Sequence, residues 1–188
     1  FYGDDSFTFS VFDGSVYSNA SVSISVAAVN DAPVLATVAD VFFDEDGVGS
    51  LSLSASDVDG DNLIYDITAG VDISASLLGS DVSFSAPADY NGSESFVVSV
   101  DDGEYSDSQT ITVTVNAVND DPVANAASGE TIEDQSVVIV LTGNDVDGDN
   151  LTFSLENDAI NGSVTLDGSF STYTPNPNFY GDDSFTFS

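Results

Sequence analysis

The sequence contains no lysine, arginine, histidine, cysteine, methionine or tryptophan. Its 33 acidic residues therefore give the 188-residue chain a formal net charge of −33. A chain without cations cannot displace counterions from phosphate, which excludes nucleic-acid binding. The same absence excludes catalysis by lysine, arginine or histidine and removes the usual ligands of zinc and haem. No disulfide can form, so cysteine content says nothing about the compartment.

Long hydrophobic runs are also absent. The longest aliphatic run, residues 137–141, is far shorter than the roughly 20 residues of a transmembrane helix, so no membrane insertion is predicted. An anionic membrane surface would repel the chain. Hydrophobic residues nevertheless make up 41 % of the sequence and recur periodically, which argues against disorder despite the high charge.

The carboxylates have two possible arrangements. Since no side-chain cation exists, no side-chain salt bridge can offset their repulsion. They either spread over a solvated surface or cluster around Ca²⁺, the cation that prefers hard oxygen ligands. The spacing of the acids has to decide between these alternatives.

An internal repeat of about 89 residues organises the chain. The string Ala-Val-Asn-Asp-x-Pro-Val at 28–34 returns at 117–123, and Asp-Val-Asp-Gly-Asp-Asn-Leu at 57–63 returns unchanged at 145–151. The first ten residues, FYGDDSFTFS, are identical to residues 179–188, two repeats later. The sequence therefore predicts three segments: the last strands of one repeat (1–31), a complete repeat (32–120) and the first strands of a third (121–188).

Apolar residues alternate with serine or threonine throughout. This period of two predicts strands with one buried face, and no stretch has the period of a helix. In the complete repeat we expect about seven strands, over residues 34–43, 48–55, 62–68, 71–78, 82–86, 94–101 and 108–117. Seven short strands in about 90 residues indicate an all-β fold of tandem, Ig-like Greek-key β-sandwiches. We expect Phe1, Tyr90 and Phe179 to fill the core at the lower pole.

The acids fall at the two ends of this sandwich, here named the upper and lower poles. Following alternate strands up and down brings the lower pole of one repeat and the upper pole of the next to the same junction. The predicted calcium ligands at the first junction are Asp5, Asn30, Asp31, Asp57, Asp59, Asp61 and Asp102. Those at the second junction are Glu45, Asp46, Glu94, Asn119, Asp120, Asp145, Asp147 and Asp149.

The Asp-x-Asp-Gly-Asp loop alone is compatible with a solvated turn. It is not an EF-hand, because glycine stands fourth rather than sixth and a strand follows instead of a helix. Its repetition in register with the Asn-Asp linkers favours metal binding over a plain turn.

The set of motifs resembles the cadherin-like tandem repeats of giant secreted bacterial adhesins of the RTX type. The resemblance covers the whole chain. It rests on Glu-Asp at 45–46 and 133–134, the Asp-x-Asp-Gly-Asp-x-Leu loops, the aromatic-x-Gly-x-acidic-Ser-Phe strings and the closing Val-Asn-Asp-x-Pro-Val. It implies cadherin-like sandwiches joined by linkers that bind Ca²⁺, with Glu45, Glu94, Asn119, Asp120, Asp145 and Asp147 among the ligands. In the third segment it adds Glu133, Asp134 and Asp183.

This resemblance implies a non-enzymatic, extracellular spacer or stalk of an adhesin, biofilm protein or surface fibre, stiffened by Ca²⁺. A self-associating fibre module and a carbohydrate-binding module are the alternatives. The expected partners are neighbouring copies of the same repeat, including a filament-forming homo-assembly.

The two incomplete segments add an expectation about assembly. Residues 1–31 contain the sixth and seventh strands that residues 121–188 need. We expect these strands to come from the next copy along a filament. That copy is either a continuation of a longer array, of which this chain is a window, or a separate chain that donates its strands.

Overall fold

The computed structural model describes residues 2–188, so the expected core position of Phe1 lies outside the described residues. Throughout this range the chain forms strands, turns and loops, with no helix. It divides into a first unit that ends at Ala117 and a second unit, Val118–Ser188. The eleven strands of the first unit are β1 (Gly3–Phe12), β2 (Tyr17–Val26), β3 (Val34–Leu35), β4 (Val41–Asp44), β5 (Gly49–Ser52), β6 (Ala55–Ser56), β7 (Ile64–Ile67), β8 (Ser74–Leu78), β9 (Asp81–Ser85), β10 (Gly92–Asp101) and β11 (Ser106–Asn116).

The complete repeat is a β-sandwich, as the sequence predicts. One sheet has the order β4-β11-β10-β7 and the facing sheet has the order β5-β9-β8, with a short β3-β6 pair beside them. The inner residues of β10 and β11 are the most deeply buried, and Phe84 packs edge-on against Phe96 with ring centroids 5.3 Å apart. Tyr90 is half-buried and packs against this core, as expected.

Two strands differ from the prediction because the chain changes sheets inside them. The single strand expected at 34–43 is two strands, β3 pairing with β6 and β4 pairing with β11. Gln109 stabilises the crossing, since its side chain accepts a hydrogen bond from the Val38 N–H and donates to the carbonyls of Leu35 and Ala36. The strand expected at 48–55 likewise divides into β5, which pairs with β9, and β6.

Strands β1 and β2 form a hairpin that pairs only with itself among the described residues. Its register, from Gly3 opposite Val26 to Phe12 opposite Tyr17, reproduces the β10–β11 register at an offset of 89 residues. Nearly all of its apolar side chains are exposed.

The second unit is an open version of the same sandwich. Its strands are β12 (Val123–Asn125), β13 (Val137–Val140), β14 (Thr142–Asn144), β15 (Leu155–Asn157), β16 (Gly162–Asp167), β17 (Phe170–Pro175) and β18 (Thr186–Phe187). They form the sheets β12-β14, β13-β17-β16 and β15-β18. The pair Leu155–Phe187 corresponds to Ile67–Val98 of the complete repeat, so β18 corresponds to the middle of β10, although the register shifts between Leu155 and Asn157. Phe179, expected in the core, is half-buried.

Candidate metal centre

The loop between β6 and β7 wraps around one carboxylate. Asp57 Oδ1 accepts hydrogen bonds from the backbone N–H groups of Asp59, Gly60 and Asp61, at 2.8, 2.9 and 3.3 Å. Gly60 has φ +79°, a conformation that glycine adopts without strain. The wrapping brings one oxygen each from Asp57, Asp59 and Asp61 within 4.8 Å of one another.

The other oxygen of this carboxylate is unusual. Asp57 Oδ2 is buried and has no hydrogen-bond partner within the described part of the chain. A buried charged oxygen without a partner is costly, because it has lost its hydration and gained nothing in return. The loop therefore has the donor set and the unmet demand that suit a hard divalent cation.

The linker before the complete repeat is tied to this loop. The Asp31 N–H donates to Asp59 Oδ2 at 2.7 Å, and Asn30 Nδ2 donates to Asp102 Oδ2 at 3.1 Å. Asp102 lies in the β10–β11 turn, where its Oδ1 accepts the N–H groups of Glu104 and Tyr105. Six of the seven ligands predicted for the first junction thus lie at one pole of the first unit.

The electrostatics of this pole differ between its carboxylates. Desolvation raises the pKa of Asp61, and the negative charges of Asp57, Asp59 and Asp102 raise it further. In contrast, hydrogen bonds from the Tyr105 and Glu104 backbone lower the pKa of Asp102. The ionised form is thus disfavoured at Asp61 and favoured at Asp102.

The seventh predicted ligand, Asp5, lies on β1 of the hairpin. It is exposed and accepts a hydrogen bond from the Ser6 N–H at 2.7 Å. No acidic cluster of three or more in residues 2–188 includes it.

The second unit repeats the linker-to-loop contact. The Asp120 N–H donates to Asp147 Oδ2 at 2.7 Å, the same distance and atoms as Asp31 and Asp59. Asp145 Oδ1 accepts the Asp149 N–H at 3.1 Å, as Asp57 does from Asp61. The preceding Asn119 donates instead to the carbonyl of Asp120.

The predicted ligands of the lower poles take part in turns. Asp46 and Asp134 are at equivalent positions with φ of +61° and +65°, a region that Asp tolerates better than most residues. Asp46 Oδ1 accepts the Asp89 N–H at 3.4 Å, and Asp134 Oδ1 accepts the Asn178 N–H at 3.0 Å. The neighbouring Glu45 is buried, at 7 % exposure, whereas its counterpart Glu133 is exposed.

Glu94 and Asp183 bind backbone rather than joining an acidic cluster. The two Glu94 oxygens accept the N–H groups of Val71, Asp72 and Ile73 at 2.8, 2.6 and 3.2 Å. Partial desolvation raises the pKa of Glu94, but these hydrogen bonds together outweigh it and the net pKa is lowered. Glu94 thus clamps the loop before β8, and its role as a calcium ligand stays a prediction.

Asp183 is the counterpart of Glu94 in the second unit and has similar contacts. Its oxygens accept the N–H groups of Ile160 and Asn161 at 3.2 and 2.9 Å and the Tyr173 hydroxyl at 3.0 Å. Its pKa is raised by desolvation but lowered overall by these bonds. Its role as a ligand also stays a prediction.

Asp89 is an acid that the sequence analysis missed. Its carboxylate lies within 4.8 Å of that of Asp46. No repeated motif marks it, since the third segment has Asn178 at the corresponding position.

Comparisons with known proteins show the family and the fold of the chain. The sequence profile of the family described as Bacterial Ig domain matches residues 30–114 and 119–188. The chain belongs to the bacterial Ig domain family. Domains of this kind and of the cadherin kind are typically extracellular and non-enzymatic. The described part of this bacterial Ig chain, residues 2–188, contains no helix that could span a membrane.

Solved structures extend the likeness to cadherins. A structure of the protocadherin gamma B2 extracellular cadherin domains 1–5 matches with a TM-score of 0.53 and 15 % identity, covering 94 % of this chain and 40 % of that one. Human protocadherin-24 EC1-2 has a TM-score of 0.49 and 22 % identity, with 79 % of each chain covered. An endo-fucoidan hydrolase of glycoside hydrolase family 107 has a TM-score of 0.38 and 18 % identity, and this chain spans 31 % of its length. No curated protein sequence matches.

The comparisons confirm the predicted fold of Ig-like and cadherin-like sandwiches. The RTX-type adhesin context and the calcium ligands stay predictions.

Proposed function

We propose that the chain is a stalk segment of a secreted or cell-surface adhesin or extracellular fibre, and that Ca²⁺ at the Asn-Asp linkers makes it rigid. The observation that supports this most is the Asp57 loop, where an unpartnered buried oxygen stands beside two more carboxylates. The chain has no cationic side chain of its own to satisfy that oxygen.

The residues of the loop suit Ca²⁺ by their chemistry. Ca²⁺ takes six to eight oxygen ligands and tolerates irregular geometry, which matches carboxylates clustered on a turn. Asp57, Asp59 and Asp61 would hold the ion, and Asp31, Asn30 and Asp102 lie beside them. Extracellular modules bind Ca²⁺ with dissociation constants of about 10⁻⁴ to 10⁻³ M, so binding would follow the external concentration.

The contact between loop and linker explains how binding would alter stiffness. Asp59 holds the Asp31 backbone, and Asp147 holds the Asp120 backbone. An ion that fixes the loop therefore also fixes the linker, through a hydrogen bond already in place. The role is mechanical and needs no catalytic group.

Calcium titration of single variants tests the proposal. We expect the wild-type chain to bind Ca²⁺ in isothermal titration calorimetry. Asp57→Asn should remove the sites of the first loop, and Asp147→Asn should weaken only those of the second. Asp66→Asn is the matched control, because Asp66 is exposed on β7 outside every cluster.

Chelation provides the second measurement. A ligand at 100 times its dissociation constant stabilises the folded state by about 2.7 kcal/mol per site. EDTA should therefore lower the melting temperature of the wild type. It should also allow the chain a wider range of conformations, which small-angle scattering measures. The proposal is wrong if EDTA changes neither the melting temperature nor the scattering, or if Asp57→Asn binds Ca²⁺ like the wild type. The carboxylates would then form only a solvated surface.

A further inference from the structure

The sheet β13-β17-β16 of the second unit has an outer face on which apolar side chains are open to solvent. Val138, Val140 and Phe170 are 57 %, 53 % and 53 % exposed, whereas Ser171, on the inner side of the same sheet, is fully buried. Among the outward positions, Asp167 carries the one charge. We call these positions the lateral face: Ser136, Thr174 and Ser163 in the first row across the strands, Val138, Thr172 and Thr165 in the second, and Val140, Phe170 and Asp167 in the third.

This sheet is the counterpart of β5-β9-β8 in the complete repeat. The Leu141 N–H donates to the carbonyl of Ser169 at 2.8 Å, just as the Leu53 N–H donates to that of Ser80 at 2.8 Å. Leu141 and Leu53 are both buried. The two hydrogen bonds therefore align β13 with β5 and β17 with β9, residue by residue.

The two sheets differ on their outer sides. The complete repeat has Ser50, Ser52 and Asp81 at the places of the three apolar side chains of the lateral face. Two of those three, Val140 and Phe170, lie directly opposite each other, and the third is next but one to Val140 along β13. The apolar side chains are thus contiguous, and contiguous exposed apolar side chains mark contact surfaces, unlike isolated ones.

We propose that the lateral face binds the lateral face of a second copy of this chain, in a two-fold contact centred on Thr172. The inference goes beyond the calcium-dependent role of the linkers, because it concerns contact between separate chains that lie side by side.

The choice of a second copy as the partner follows from charge. Every charged side chain of this protein is acidic, so a cationic partner would be drawn to the acidic loops, such as residues 145–149, rather than to the lateral face. A second copy is repelled by those loops and can approach closely only where carboxylates are sparse. The lateral face is such a place, since Asp167 is its one acid.

The geometry of two stacked sheets suits this contact. Sheets that pack face to face are about 10 Å apart, with the side chains of both in one layer. A two-fold axis through Thr172, along or across the strands, places Asp167 opposite Val140 or Ser163 of the other copy. The two Asp167 carboxylates therefore do not meet, and the contact buries apolar side chains without placing like charges opposite each other.

The size of the lateral face determines the strength of the contact. Three strands about 4.8 Å apart and three rows about 6.7 Å apart give an area on the order of 300 Å², side chains included. A stable dimer buries about 800 Å² on each partner. One contact is therefore weak and transient, and it becomes effective when several act together along tandem repeats.

Sedimentation equilibrium of matched variants tests the proposal independently of calcium, in EDTA with added NaCl to screen repulsion. We expect the average mass of the wild type to rise above 19.4 kDa as its concentration rises. Val140→Asp should stay closer to the monomer mass at every concentration. Ser52→Asp is the matched control, because it adds the same charge at the equivalent position of the complete repeat, and it should associate like the wild type.

Both substituted side chains are exposed, so circular dichroism and melting should be unchanged in both variants. A wild type that stays monomeric would leave the lateral face to a partner of another kind and overturn the proposal. Association of Val140→Asp to the same extent as the wild type would also overturn it.

Site-directed cross-linking checks the centre of the contact. The chain has no cysteine, so Thr172→Cys introduces a single thiol in the middle of the lateral face. A short bismaleimide should join two such chains, since sheets packed about 10 Å apart hold the thiols too far apart for a disulfide. Ser83→Cys, at the equivalent position of the complete repeat, should cross-link much less. Equal yields from the two variants, or a Thr172→Cys yield that Val140→Asp does not lower, would contradict the proposed contact.

Discussion

The β10–β11 and β1–β2 hairpins have the same fold in two different environments. Both pair over ten positions in the same register, and in both an Asp oxygen closes the turn with two backbone N–H groups. Phe96, on the inner face of β10, is 0 % exposed, but the corresponding Phe7 on β1 is 54 % exposed.

This difference separates what local sequence determines from what packing determines. The alternation of apolar and polar residues and the hydrogen bonds of the turn are enough to form either hairpin, since they act between residues close in sequence. Burial depends on the facing sheet β5-β9-β8, which covers β10 and β11 in the complete repeat. An isolated two-stranded hairpin is at best marginally stable in water, so β1 and β2 have the most to gain from a partner.

The largest effect on the free energy of unfolding is expected when the equivalent phenylalanine ring is removed from each hairpin. Phe96→Ala should lower the free energy of unfolding of the complete repeat by about 3–5 kcal/mol, because it opens a cavity in the core. Phe7→Ala should change it by less than about 0.5 kcal/mol in dilute, monomeric protein. Chemical denaturation measures both. Equal losses would mean that the β1–β2 hairpin is packed in solution.

A smaller effect on stability is expected from the equivalent acids near the start of β10 and of β1, Glu94 and Asp5. Glu94→Gln should cost about 1–2 kcal/mol, because an amide group cannot accept all three backbone hydrogen bonds of the carboxylate. Asp5→Asn is the matched control and should be nearly neutral, since Asp5 is exposed. If Asp5→Asn destabilises the complete repeat as much as Glu94→Gln, the clamp is not specific to the closed sandwich.

The pH dependence of the Glu94 variant adds a second test. The folded pKa of Glu94 is below its ordinary value of 4.5, so its ionised form stabilises the fold. That stabilisation is complete above pH 4.5 and is lost as the pH falls through the folded pKa. The stability difference between wild type and Glu94→Gln should therefore narrow below pH 4.5. A difference that stays constant at acid pH would rule out the carboxylate charge as its cause.

The smallest effect on stability is expected at the turns. The two hairpins should respond alike to a substitution there. Asp102→Ala and Asp13→Ala each remove the acceptor of two backbone N–H groups. Both should speed amide hydrogen exchange in their own turn. Protection that falls at Asp102 but not at Asp13 would show that the turn of the free hairpin is not formed in solution.

The strands of the complete repeat were largely predictable because serine and threonine alternate with apolar residues. The division of residues 34–43 was not predictable, because it depends on Gln109, which lies more than 70 residues away in sequence and holds the crossing chain. The gathering of acidic residues at the pole that contains Asp57 was predictable from the repeated motifs and from the direction of the strands. The unpartnered Oδ2 of Asp57 was not, since it results from the three-dimensional wrapping of the loop.

Glu94 shows the limit of a motif-based assignment. Its place before the sixth strand suggests a metal ligand, but the structure gives its oxygens three backbone partners. The sequence does not reveal these partners, because they lie 21 to 23 residues from Glu94 and come close to it only in the folded structure.

The parallel pairing of β4 with β11 has a consequence for a chain under tension. Pulling loads β4 from its first residue and β11 from its last, at opposite ends of a parallel pair, so the bonds at four residue pairs are sheared together rather than peeled one by one. In the second unit, residues 129–132 lack this pairing. In single-molecule stretching we therefore expect the complete repeat to unfold at a higher force than the second unit of the same chain.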